Sequence, residues 1–303
     1  MELTWHYAGP AILLRHFLRQ AGFSRAQIKH LKYHGGAILV DRRARHTNFL
    51  VQPGSEILVR LAPEVPADTV VPQAGPVAVA YEDRDYLVVN KPAGVASIPD
   101  AAKGDNSMAN WVKAYLQATH AESTAIHVIT RLDRDTSGLM LFAKHSLAHS
   151  RMDAQLHSPR LEKTYLAVAA NPTPLPPHGW IVLPIARSRE FYMRRAIVLG
   201  GKRSVTEYWR QAATGSALLA RVRLHTGRTH QIRVHFAAVG HPLYGDDLYG
   251  GPTGCPRQAL HCAELKFWQP FTEQWVTVTA PLPADLQALV DHLGLTQTAA
   301  SRD

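Results

Sequence analysis

The sequence predicts an α+β protein: a mixed, mainly antiparallel sheet with peripheral helices, preceded by a small basic helical unit. Three observations carry this. Two short amphipathic helix patterns lie within the first sixty residues. From residue 77 to about 282, strand patterns outnumber helix patterns with no regular strand–helix alternation. A Pro- and Ala-rich stretch separates the two regions. The expected organisation is therefore a first unit at 1–61, a linker at 62–76, a large unit at 77–290 and a flexible tail at 291–303. A chain of 303 residues has room for one large core and a smaller companion. Its 46% apolar and 19% charged content is ordinary for a globular protein. No apolar run reaches the roughly 18 residues a membrane span needs. The start, Met-Glu-Leu-Thr-Trp-His-Tyr, lacks the basic and apolar segments of a secretory leader. Two cysteines, Cys255 and Cys262, cannot build a disulfide framework, so a reducing cytoplasm is the expected compartment.

Element by element, residues 11–20 place Leu13, Leu14, Phe17 and Leu18 on one face of a helix. Ser24 is the expected N-cap of a second helix through Tyr33, ended by Gly35-Gly36. Within it Arg25, Lys29 and Lys32 fall at i, i+4 and i+7 as one basic stripe, while Ile28 and Leu31 turn toward the first helix. A strand at Ala37–Val40, a basic turn at Asp41-Arg42-Arg43 and a strand at 56–61 follow. Beyond the linker come a strand at Tyr86–Asn90, a turn at Lys91-Pro92-Ala93-Gly94, and an apolar strand at Leu139–Ala143. Further strands are expected around Leu161–Val168 and Thr206–Trp209. Thr229 is the expected cap of a helix whose apolar face is Ile232, Phe236 and Val239.

Charge is concentrated at the front. The net charge is +9, and residues 1–61 hold nine Lys/Arg against three acids, so +6 of it sits in one fifth of the chain. Such an excess suits a polyanionic partner. A small helical adaptor with a solvated charged face is the plainer alternative.

The run Thr130-Arg131-Leu132-Asp133-Arg134-Asp135-Thr136-Ser137-Gly138 carries the most chemistry. It sets Asp133 between two arginines in a polar turn that opens into the apolar strand. Guanidinium groups keep a carboxylate ionised, and Arg131 and Arg134 suit phosphates on either side of a nucleotide. Asp133 and Asp135 lack a nearby His or third acid, so no metal pair is expected. Asp135 suits a structural turn bonded to local amides, which leaves Asp133 as the reactive candidate. Tyr165 sits on a strand, where a half-buried core tyrosine and a base-stacking one both fit. Arg228 lies at a helix mouth, where free amides favour a phosphate. Arg233, one turn in and beside Ile232, needs an anionic partner because an unpaired buried guanidinium is costly. His230 and His235 are spaced poorly for a shared metal and read as solvated or base-contacting; Gln231 joins them as an RNA-contact candidate. The Cys255, His261, Cys262 spacing matches no zinc finger, and Cys262 reads as a small core residue. The Gly200-Gly201-Lys202-Arg203-Ser204 run lacks the spacing of a phosphate loop.

In order, Tyr86–Gly94, Arg131-Leu132-Asp133 with Thr136-Ser137-Gly138, Lys163-Thr164-Tyr165, Gly227–His235 and Leu260-His261 resemble the RluA-type pseudouridine synthases over roughly residues 77–282. The front segment resembles the alpha-L RNA-binding domain first known from a small-subunit ribosomal protein, which several members of that family carry. The resemblance implies isomerisation of uridine in structured RNA, ribosomal or transfer, in which the N1 glycosidic bond is cleaved and the base is rejoined through C5. It implies that Asp133 is the essential aspartate, that Tyr165 stacks on the base and takes part in removing the C5 proton, and that Arg233 pairs with the aspartate. RNA contacts are expected from Arg131, Arg134, Arg228, His230 and Gln231, and from Arg25, Lys29, Lys32, Arg42 and Arg43. Thr130 departs from the family pattern, where many members have His, which leaves target choice open. No net oxidation occurs and no group enters or leaves, so no cofactor is expected; a monomer is the default. The rival is a noncatalytic RNA-binding or ribosome-assembly factor on the same scaffold. A hydrolytic glycosidase lacks an evident second acid.

Overall fold

Apolar residues from both ends of the long second unit close into one sheet of ten strands. The structure, a computed structural model, describes residues 1–61, 64, 70–100, 106–156, 158–188 and 194–295. The strand order runs from His178–Val182 through Val205–Ala213, Ala217–Leu224, Leu161–Ala170, Leu260–Gln269, Ser137–Ala143 and Tyr86–Lys91 to Val79–Glu82. Gln274–Thr279 pairs beside Leu260–Gln269, and His127–Val128 beside Ser137–Ala143. All pairings in this sheet are antiparallel except one, the short parallel contact Ser137↔His261 and Gly138↔Cys262. The α+β class and the mainly antiparallel plan are as the sequence predicts.

Ser137–Ala143 is buried at every position, which explains its unbroken apolar run: it lies mid-sheet with both faces covered. The parallel contact sits where the Arg131–Thr136 turn enters this strand. Gly138 makes that approach possible, because it holds φ 113° and a Cβ there would drive into the backbone of Cys262. One strand further, Leu161–Ala170 shifts register against Leu260–Gln269 between Thr164 and Tyr165, setting Tyr165 opposite Cys262. Such irregularities re-aim side chains. The helix Gln231–Ala238 packs its Phe236 against Tyr208 of the sheet, ring centroids 6.0 Å apart.

The first sixty residues make a separate four-stranded sheet with two helices. The helix Arg25–Tyr33 starts at Ser24 with a reciprocal cap, Gln27 N donating to Ser24 Oγ and Ser24 N donating to Gln27 Oε1. Leu31 is buried and Ile28 packs on the same cluster as Phe17 and Leu18. The first helix is shorter than the sequence suggests: Ile12–Leu13 pairs as a strand with Leu50–Val51, and the helix runs Leu14–Gln20. The sequence reading also passes over the opening strand, Glu2–His6, which pairs with Glu56–Arg60. The unit rests on the helix Ser146–Asp153: Leu147 joins its core, and Arg151 Nε donates to Ala21 O at 2.8 Å.

Of the expected linker, residues 62–63 and 65–69 lie outside the described residues. Glu64 is fixed, accepting from His127 Nε2 at 2.6 Å and from Ser146 N at 2.7 Å. The expected tail begins too early. A helix covers Ala284–His292 and Leu295 is fully buried, because this segment covers the apolar sheet face at Val168 and Leu219. Residues 296–303 lie outside the described residues.

Candidate active site

The Arg131–Thr136 turn is held largely through its backbone. Lys91 Nζ donates to the carbonyls of Pro92, Val95 and Arg134, each at 2.8 Å. Ser97 Oγ donates to Leu132 O at 2.6 Å and accepts from Leu132 N at 2.9 Å. Arg257, paired with Asp285, donates to Asp135 O at 3.0 Å. It is thus the Asp135 carbonyl that is anchored, and no bond from its carboxylate to local amides is recorded among the described residues. Burial pulls the Lys91 ammonium down to about 7, against the opposing pull of the Asp135 and Asp133 charges. The Thr130 hydroxyl is buried and accepts from Leu141 N at 2.9 Å, a sheet role.

This scaffold presents the Asp133 carboxylate, a quarter exposed, to a cleft of about 470 Å³. Its guanidinium partner is on the helix, as expected, yet the pairing is looser than the sequence suggests. Arg233 Nη1 stands 3.4 Å from Asp133 Oδ2, whereas Arg233 Nε and Nη2 donate to the two oxygens of Asp246 at 2.7 and 2.8 Å. Asp246 has no exposed side-chain surface. The anion that Arg233 requires is therefore chiefly Asp246, a bidentate match. Burial alone works against the Arg233 charge, but the Asp246 and Asp133 carboxylates outweigh it and hold its pKa above the ordinary value. The Tyr249 ring lies beside the guanidinium, 5.2 Å from its centroid. Its hydroxyl accepts from Arg195 N at 2.9 Å and meets His230 Nδ1 at 2.9 Å. The sequence reading missed both residues; the glycine-bounded run Gly245-Asp246-Asp247-Leu248-Tyr249-Gly250 marks a turn but does not show that Asp246 is buried.

Tyr165 lines the same cleft and is 5% exposed. Burial pushes its phenol well above the ordinary value, helped by the Cys262 thiol and the Asp133 charge, so it is protonated at neutral pH. Lys163 and Arg228 also line the cleft, and burial holds the Lys163 ammonium below its ordinary value. The Arg228 Nε is buried with no hydrogen-bond partner among the described residues, and Arg131 and Arg134 lie exposed beside Asp133.

Other expectations need correction. Gln231 lines the cleft, but its amide is fully used. Its oxygen accepts from Thr226 Oγ1 and Arg228 N, and its NH2 donates to Val205 O and Thr206 Oγ1, leaving nothing for RNA. His235 is buried between Thr206 and Leu183, a structural histidine rather than a solvated one. The N-cap is His230, at φ 57°, instead of Thr229; its Nδ1 meets the Tyr249 hydroxyl while the residue lines the cleft. Burial holds His230 below its ordinary value. Arg25, Lys29, Lys32, Arg42 and Arg43 are all exposed on the N-terminal unit, away from the cleft lining.

The chain is similar to known proteins along most of its length. The family model for RNA pseudouridylate synthase matches residues 85–238, which include the Asp133 turn, Tyr165 and Arg233. The RNA pseudouridine synthase YhcT of Bacillus subtilis is 38% identical over 255 residues, 83% of each chain. The ribosomal large subunit pseudouridine synthase D of Zymomonas mobilis is 36% identical over 237 residues, 73% of this chain and 74% of that one. Among solved structures, human RNA pseudouridylate synthase domain containing 4 superposes with a TM-score of 0.60 at 20% identity, covering 73% of this chain and 94% of that chain, a likeness of fold. With its motifs assembled around one cleft and relatives that match along most of their length, this chain belongs to the RluA-type RNA pseudouridine synthase family.

Proposed function

We propose that this chain converts specific uridines of structured RNA, ribosomal RNA before transfer RNA, to pseudouridine, with Asp133 as the essential residue. The observation that carries the reading is the division of labour around Arg233. Asp246 holds the guanidinium in place, so Asp133 stays open to the cleft beside a fixed positive charge. A binding protein has no use for that arrangement, which weighs against the noncatalytic assembly-factor reading. It also removes Asp246 as a free second acid for a hydrolytic glycosidase, since both of its oxygens are occupied.

In this reading the target uridine leaves its stack, at a cost of a few kcal/mol, and enters the cleft. Phosphate contacts from Arg131, Arg134 and Arg228 offset that cost, the orphaned Arg228 Nε being suited to an oxyanion. The neutral Tyr165 phenol supplies a face for the uracil ring. It cannot take the C5 proton without first giving up its own, so stacking is its first role. Exclusion of water by the buried walls keeps the detached base from being lost.

The N-terminal unit, with the exposed Arg25, Lys29, Lys32, Arg42 and Arg43, serves as a second RNA grip of the alpha-L kind. Ribosomal RNA is favoured because relatives such as the Zymomonas mobilis protein are named for the large ribosomal subunit. The two unpaired cysteines suit a reducing compartment. The test is incubation of the chain with unmodified ribosomal and transfer RNA transcripts, followed by mapping of pseudouridine. Conversion at defined ribosomal sites is expected; conversion in neither RNA would overturn the reading.

A further inference from the structure

On the outer face of the sheet, behind the cleft, lies a cluster the synthase chemistry does not use. The edge strand His178–Val182 sets Trp180 beside Glu207 and His178 beside Trp209, on the face opposite Tyr208, Val222 and Tyr165. Glu207 is nearly buried and accepts from His178 Nε2 and His225 Nε2, each at 2.9 Å. A carboxylate only accepts, so both imidazoles donate through Nε2 and their ring planes are fixed. Each carries an indole. His178 stacks on Trp209 at 5.1 Å and 19°, and Trp180 lies 4.7 Å from His225. The Arg221 guanidinium sits over Trp209 at 5.3 Å. Burial pushes Glu207 up, but its bonds to His225 and His178 hold its carboxyl below the ordinary value, which keeps the pair anchored.

Trp180 nevertheless remains 51% exposed. A tryptophan left in water on a rigidly braced base, beside two imidazoles and with a guanidinium over the next indole, is suited to a flat π-face that belongs to a polyanion. The cluster is continuous with the cleft: His225 adjoins Thr226, and Gly227 and Arg228, the next two residues, line it. Exposed Lys202 and Arg203 stand at that same end of the strands, just before Val205, which pairs with Val182. An apolar protein contact would not need this density of cations.

We propose that Trp180, braced by the His178–Glu207–His225 bridge, is a stacking platform for a base of the RNA strand flanking the target uridine as that strand leaves the cleft. The proposal rests on RNA entering the cleft and extends that reading to the sheet's outer face. Loss of one base–aromatic stack is expected to weaken binding about tenfold.

The test measures binding of a fluorescent single-stranded oligouridylate of about 15 nucleotides to the whole chain, alongside tritium release from C5-labelled structured RNA. Trp180→Ala should bind about tenfold more weakly and Trp180→Phe should recover most of the loss. Trp275→Ala, an exposed tryptophan on the distant strand Gln274–Thr279, should bind as the parent does. Trp180→Ala affinity within about twofold of the parent overturns the platform, as does equal weakening by Trp275→Ala. Dissociation of a dimer by Trp180→Ala with RNA affinity unchanged overturns it too. Trp180-dependent binding without tritium release would uphold the platform and sink the synthase reading; release without Trp180 dependence would sink the platform alone.

Discussion

Replacing Asp246 by Asn separates two tasks performed by the Asp133–Arg233–Asp246 cluster. Asp246 is completely enclosed and holds Arg233 through two bonds of 2.7 and 2.8 Å. Asparagine keeps the shape and one acceptor but loses the charge. Arg233, only 8% exposed, then depends on a carboxylate 3.4 Å away. Breaking a buried ion pair from one side costs about 3–5 kcal/mol, and the retained acceptor places Asp246→Asn near the lower figure, about 3 kcal/mol. The guanidinium is also free to swing onto Asp133. A misplacement of about 1 Å in a catalytic constellation lowers turnover about 100-fold. Asp133→Asn differs in kind, since it removes a long contact on a quarter-exposed group, at a stability cost within about 1 kcal/mol. Urea unfolding and tritium release from C5-labelled RNA separate the variants. Asp246→Asn should lose stability and turnover together, whereas Asp133→Asn should lose turnover alone. An Asp246→Asn protein that unfolds with the parent and turns over at the parent rate would refute the positioning role.

The contact of Glu64 with His127 and Ser146 predicts a pH signature. Burial raises its carboxyl, but the bonds from His127 and Ser146 hold it at about 2 against an ordinary 4.5. The folded chain then binds fewer protons than the unfolded one between those values, so this stability is full above pH 4.5 and is lost as pH falls through 2. Glu64→Gln should flatten stability against pH across that window and cost at most about 3 kcal/mol at neutrality; an unchanged slope would contradict it. Replacing Arg25, Lys29 and Lys32 together should weaken RNA binding and reduce its salt slope by about 2–3, and an unchanged slope would place the RNA path elsewhere. Gly138→Ala should lose about 1–3 kcal/mol from backbone strain before the collision with Cys262 is counted, with a lower melting temperature and impaired turnover; parent-like behaviour would show that the close strand approach is dispensable.

Local signals in the sequence were sound where a single element suffices to explain them. Ser24 forms the expected cap because its partner, Gln27, lies within one helical turn. The apolar run at Leu139–Ala143 marks a strand covered on both faces. The meeting of Asp133 with Arg233 across 100 residues was implied by the family resemblance and agrees with their complementary needs, an anion lacking a cation and the reverse. What stayed hidden depends on three-dimensional closure. Nothing local distinguishes Asp246 from a surface acid until its loop folds under the helix and closes on Arg233. Gln231 and His235 looked available for RNA because the strand Val205–Ala213, which takes up their hydrogen bonds, lies more than twenty residues upstream. The strand Glu2–His6 has a partner 50 residues or more away, and its short mixed pattern carries no turn signal of its own. Leu295 similarly reads as tail until the apolar sheet face that it covers is in view.

The most direct measurement of the central claim compares Asp133→Asn with Asp135→Asn, two carboxylates two residues apart in one turn. Rate of tritium release from C5-labelled uridine is read in the same RNA, with RNA affinity measured in parallel. Release should vanish in Asp133→Asn with affinity retained and persist in Asp135→Asn, whose carbonyl rather than carboxylate is anchored. Substantial release by Asp133→Asn would contradict the account.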